Sequence, residues 1–99
     1  MSDIRPILNE RGANYGCYGS NARIAQDLKR ALRSAPGWRE APPYIQESLE
    51  MIVFKMARVV NGDYRHADNL IDIIGYAQLA IDQLEKEKTI EMSKDFRVV

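Results

Sequence analysis

The chain is poor in the residue types that most often announce a chemistry. It has one cysteine, Cys17, and one histidine, His66, in 99 residues. A lone cysteine excludes an internal disulfide framework and fits a reducing, cytosolic setting. A lone histidine without partners at ligand spacing argues against a zinc site, and His66 reads as a surface or cap-region residue. No apolar run approaches the roughly 20 residues of a membrane-spanning helix. The start, Met1-Ser2-Asp3-Ile4-Arg5-Pro6, has no apolar stretch of the kind a secretory signal needs. Excess charge is missing too, since 14 basic side chains balance 14 acidic ones. A DNA-coating protein needs surplus Lys and Arg for phosphate contacts, so neither DNA nor a membrane is an expected partner. Zero net charge also does little to keep copies apart, and self-association is expected.

What is present is an ordinary globular mixture, 45% hydrophobic and 28% charged, of a length suited to one domain over residues 1–99. The charge is unevenly placed. Residues 1–40 carry seven basic and four acidic side chains, residues 41–72 three and five, and residues 73–99 four and five. The acidic middle is where chemistry is expected.

The pattern predicts four helices and no strand. A short helix over 3–10 should stop at Gly12. A loop over Tyr15–Asn21 follows, with Ser20 or Asn21 capping a helix over about 21–34 that carries Ile24, Leu28, Ala31 and Leu32 on one face. Pro36-Gly37 breaks it, and Trp38 anchors the connection. Pro43, in the tolerated first turn, opens a helix over 43–60, and Asn61-Gly62-Asp63 ends it. A last helix spans about 66–88, with 89–99 as a loose or partner-dependent tail. The fold class is all-α, a four-helix bundle.

At about 100° per residue, Ile45, Leu49, Ile52, Val53, Met56 and Val60 form one stripe on the third helix, the expected core face. Glu47, Glu50, Met51 and Phe54 lie outside it. On the fourth helix Leu70, Ile73, Ile74, Ala77, Ile81 and Leu84 form the expected core stripe, opposite Asp68, Asp72, Gly75, Tyr76, Leu79 and Gln83. Helices apolar on two sides are buried on both or meet a partner chain. Adjacent antiparallel helices could bring Glu47 and Glu50 to face Asp68 and Asp72. Four carboxylates around one cleft repel unless a cation sits between them, and hard oxygen ligands select Mg²⁺ or Mn²⁺. Such a site suits metal-assisted hydrolysis of a phosphoanhydride, with a spare carboxylate orienting the attacking water. Surface salt bridging is the plainer alternative for the same acids. Lys55 and Arg58 flank this face as candidate phosphate ligands. The Tyr15–Asn21 loop, feeding a helix N-terminus, has the character of an anion site, although loop tyrosines more often lid a core, the favoured reading of Tyr15 and Tyr18.

At these residues the chain resembles the all-α nucleoside triphosphate pyrophosphohydrolases, the MazG-like superfamily. Their signature is Glu-Glu-x-x-Glu on one helix and Glu-x-x-Asp on the next. Gln46-Glu47-Ser48-Leu49-Glu50 stands at the first motif and Asn69-Leu70-Ile71-Asp72 at the second, with 18 residues between. Glu47, Glu50 and Asp72 match, whereas Gln46 and Asn69 replace acids with amides. The chain is also similar, over about residues 4–80, to short phage and prophage proteins of unknown function. The shared features are Arg11-Gly12-Ala13-Asn14-Tyr15-Gly16, Pro36-Gly37-Trp38, Glu47 to Glu50, and Asp72-Ile73-Ile74-Gly75-Tyr76.

The resemblance implies a MazG-like bundle completed by a second chain, a homodimer or higher oligomer in the cytoplasm of a bacterial host. Glu47 and Glu50 would be catalytic. Those two with Asp72 and Asp68 would hold Mg²⁺ or Mn²⁺, and Lys55, Arg58, Asn69 and Tyr76 would meet the nucleotide. Because amides bring no charge, a second expectation stands beside the hydrolase: a non-enzymatic phage effector of the same fold that inhibits a host protein or sequesters a nucleotide signal.

Overall fold

The computed structural model describes residues 3–98, with side chains to Ile90. It is an all-α, four-helix bundle: α1 (Arg5–Tyr15), α2 (Tyr18–Arg33), α3 (Pro43–Asn61) and α4 (Asp68–Val98). α3 is central. It packs against α2 on one side and α4 on the other, and α2 and α4 do not touch among the described residues. Among the described residues no helix is long and apolar enough to cross a membrane.

α1 starts where Asp3 Oδ1 accepts the Arg5 N–H at 3.0 Å and Pro6 fits the first turn. It does not stop at Gly12 but runs one turn further. The stop is Gly16, whose φ of +80° only glycine adopts without strain. The expected loop over Tyr15–Asn21 shrinks to Gly16-Cys17, so α2 begins at Tyr18 with Cys17 as its cap, and Asn21 sits inside the helix, buried. Arg30 and Arg33 complement the dipole in its last turn. The 34–42 connection folds on itself through Trp38 N–H to Ala35 O at 3.1 Å, and Pro42 and Pro43 start α3.

The ends of α1 and α3 cross almost backbone to backbone. The Asn61 side-chain amide donates to Tyr15 O and Cys17 O, both at 3.0 Å, and the Asp63 N–H donates to Asn14 O at 2.9 Å. A Cβ on Gly16 would collide with the Asn61 carbonyl, and one on Gly62 with the Asn14 carbonyl and the Tyr15 backbone. Both glycines are there because nothing larger leaves room.

α4 departs most from expectation. It runs to Val98 rather than ending near residue 88, because no glycine or proline interrupts it after Gly75 and polar pairs such as Gln78 Nε2 to Asp82 Oδ1 (2.8 Å) support it. Val99, the end of the expected tail, lies outside the described residues. At 1.5 Å per residue α4 is ~46 Å long against ~28 Å for α3, so its last ~12 residues overrun the start of α3. The face that α4 turns to α3 also differs: buried Asn69 and half-buried Ile73, Tyr76, Ala77 and Ala80 line it. Small residues there let the helices approach. Leu70, Ile74 and Ile81 are exposed, Ile74 by 69%. On α3 the same happens: Val53 and Ala57 are buried, but Leu49, Met56 and Val60 of the same expected stripe are exposed.

Among the described residues only Ala25, Val53 and Ala57 are fully buried apolar side chains, so one chain has little core of its own. Its accessible surface is 7708 Å², where a compact protein of this mass exposes ~5,700 Å². Its radius of gyration is 18.1 Å against ~12.6 Å for a compact 99-residue domain.

The crossing of α1 over α3 is testable by denaturant melting. Asn61→Ala removes two donors to backbone carbonyls and is expected to cost about 1–2 kcal/mol. Gly62→Ala, which forces the backbones apart, is expected to cost more than Asn61→Ala; equal or smaller loss would show that the close approach is not required.

Candidate functional site

The acidic faces of α3 and α4 are populated by cations of the chain itself. Glu50, half-buried, accepts from Arg33 of α2, with Nε at 2.9 Å and the second guanidinium nitrogen on the same oxygen. Asp72 pairs with Lys55 of α3 at 3.0 Å, and the Lys55 side chain is only 13% exposed. Asp68 lies 3.4 Å from His66 Nε2. Glu47 is exposed and takes part in no ion pair among the described residues.

The Lys55–Asp72 pair also fixes the register of the antiparallel helices. With those two level, the helical rise sets Glu50 ~7.5 Å and Glu47 ~12 Å further along α3, away from Asp72. Asp68 lies about one turn in the opposite direction. The structure therefore brings Lys55 to Asp72, and does not gather Glu47 and Glu50 with Asp68 and Asp72 around one point. Among the described residues no three His, Cys, Asp or Glu side chains converge as a metal site would require. Within a single chain these residues do not fit a divalent cation.

The two amides in the signature have structural positions. Gln46 Nε2 donates to Trp38 O at 2.7 Å and so holds the Pro36-Gly37-Trp38 turn against α3. A carboxylate there could accept but not donate. Asn69 is 1% exposed, with its Nδ2 unpartnered, at the α3–α4 contact. It lies inside rather than on a ligand-facing surface. Tyr76 is half-buried beside an open groove on α4 with Ile71, Asp72, Gly75, Gln78 and Leu79.

Arg58 leaves the acidic face altogether. It points to α1, where its guanidinium lies 4.3 Å from the Tyr15 ring centroid and 4.7 Å from that of Phe54. Tyr15 in turn meets His66 edge-on, with ring centroids 5.6 Å apart. Two residues here were missed as functional candidates. Arg11 and Asn21 line the same pocket as Tyr15 and Arg58. Arg11 opens the Arg11–Gly16 motif shared with the phage proteins, but nothing in that motif marks it as a ligand. Asn21 reads from sequence as a cap, and only the earlier start of α2 turns it inward.

A family model described as a domain of unknown function (DUF6378) matches residues 3–83 of the chain. Comparison with curated proteins and with solved structures gives no match. That match covers both glycines of the α1–α3 crossing, the Pro36-Gly37-Trp38 turn and the acidic segments of α3 and α4, and the chain belongs to the DUF6378 family.

Proposed function

We propose that the chain is a MazG-like, phage-encoded effector that binds a nucleotide as a homo-oligomer without hydrolysing it. One observation carries this reading: Glu50 and Asp72, two of the acids that match the signature, are neutralised from within the chain by Arg33 and Lys55. A cation would have to displace both arginine and lysine, while Gln46 and Asn69 offer no charge in compensation. Nucleotide binding does not need those acids free. Unpaired arginines elsewhere on the chain supply what phosphate requires.

The surface supports a second copy as the partner of the exposed stripes. The excess of about 2,000 Å² over a compact protein exceeds the ~800 Å² per partner of a standard interface and reaches the range of obligate assemblies. The overrunning end of α4 adds to this, since an isolated helix of ~12 residues is marginal in water without tertiary contacts. Hydrolysis by Mg²⁺ or Mn²⁺ would require that second copy to carry its own carboxylates across.

Sedimentation of the full chain at micromolar concentration should give a dimer or larger species, and Ile74→Glu, on an already exposed position, should shift it to smaller ones. A monomeric wild type would overturn self-association and leave the stripes to a host protein. Calorimetric titration should find nucleotide affinity unchanged between Mg²⁺ and EDTA, with no pyrophosphate released. Mg²⁺-dependent pyrophosphate release lost in both Glu50→Gln and Asp72→Asn would establish the hydrolase instead. Both substitutions should lower stability by about 1 kcal/mol each, because each strands a cation of its pair.

A further inference from the structure

The junction of α1, α2 and α3 forms a half-open cavity of about 620 Å³ to which α4 contributes no residue. Its lining holds two guanidiniums, Arg11 and Arg58, and no carboxylate. Among the described residues neither Arg11 nor Arg58 has an acidic partner, and of the cations without one they are the two that line a cavity with aromatic rings. Tyr15 and Phe54 engage the π face of the Arg58 guanidinium, which leaves its N–H groups for an acceptor. A half-buried, immobilised and unpaired guanidinium is a site for an oxyanion.

The start of α2 opens onto the same cavity through Cys17 and Tyr18. The first backbone bond of the helix is Asn21 N–H to Cys17 O at 3.0 Å, so the N–H groups of Tyr18, Gly19 and Ser20 have no intrahelical acceptor. The exposed Cys17 thiol already samples these donors: hydrogen bonds from the backbone N–H groups of Ser20 and then Gly19 hold it below its ordinary range, and an anion bound there would take its place. Asn21 is the independent sign of a ligand. It is 5% exposed, it lines the cavity, and its Oδ1 has no hydrogen-bond partner. A buried acceptor of this kind calls for a donor.

We propose that this cavity binds a phosphate monoester on a small carrier that has a flat ring and a hydrogen-bond donor, the chemistry of a nucleoside monophosphate. The phosphate meets Arg58, Arg11 and the N-terminus of α2, the ring lies on the exposed Tyr18, and the donor meets Asn21 Oδ1 once that side-chain amide turns over to bring its oxygen, sealed from solvent in this structure, to the cavity wall. The organic half of the ligand rests on the nucleotide-binding reading above, and the anion half stands without it.

The test is titration of the ¹⁵N-labelled full chain, in EDTA, with adenosine or cytidine monophosphate and separately with inorganic phosphate. Amide shifts should concentrate at Tyr18–Asn21. Affinity should fall about tenfold in Arg58→Gln and in Arg11→Gln, the loss expected for a charged hydrogen bond. Arg11 is exposed, so its variant keeps the fold if Arg58→Gln does not. Either probe should also slow iodoacetamide alkylation of Cys17 in the wild type. Nucleotide shifts confined to Ile71–Leu79 and indifferent to both arginines would overturn this location while leaving nucleotide binding intact. Shifts at Tyr18–Asn21 with inorganic phosphate alone would keep the anion site and overturn the nucleotide. No shift with any probe would overturn both.

Discussion

One side-chain amide holds the geometry on which the rest depends. Asn61 reaches the carbonyls on either side of Gly16, those of Tyr15 and Cys17, and so ties the end of α1 and the start of α2 to the end of α3. That tie can form only because Gly16 and Gly62 let the chains touch without side chains between them. Once it is made, Tyr15 has one place to go. It lies against Arg58, a turn before Asn61, and the α2 N-terminus is left facing the same space. The charge, the rings and the helix N–H groups of that cavity are thus consequences of a packing constraint at a single asparagine.

The opposite side of α3 follows a different logic. There the helices are held by small residues and by cations lent to the acids, Arg33 from α2 and Lys55 from α3 itself. The hydrophobic groups that would normally seal such a bundle face outward, as Ile74 and Val60 do at 69% and 74% exposure. A core built this way stabilises one chain weakly, because the area removed from water is small relative to the entropy lost on folding. The same exposed groups are the reserve from which an assembly would draw its stability.

The sequence makes four helices legible because helical periodicity, Pro43 and the break at Pro36-Gly37 are local signals. It does not make their neighbours legible. Ile74 and Ile73 both fall on an apolar stripe, yet only Ile73 turns inward, because which edge of the stripe is covered depends on where α3 lies. The stop of α1 is misread at Gly12 because a glycine alone does not say whether a positive φ is needed, and at Gly16 the need comes from Asn61, 45 residues away. The acids of the site are legible as residues but not as pairs. Asp72 stands in the signature with nothing in its vicinity to announce that Lys55, 17 positions earlier, will be its partner. Arg58 and Tyr15 are individually visible, and their contact is a product of the α1–α3 crossing.

The hydrogen bond from Gln46 to the Trp38 carbonyl bears on how such a chain could evolve. Its direction matters, since only the amide can donate to that carbonyl. Placing an acid at position 46 would set two acceptors against each other and loosen the turn that delivers α3. The closed turn and a carboxylate at position 46 are therefore alternatives in this fold, and a chain that gained the second would have to rebuild the connection between α2 and α3.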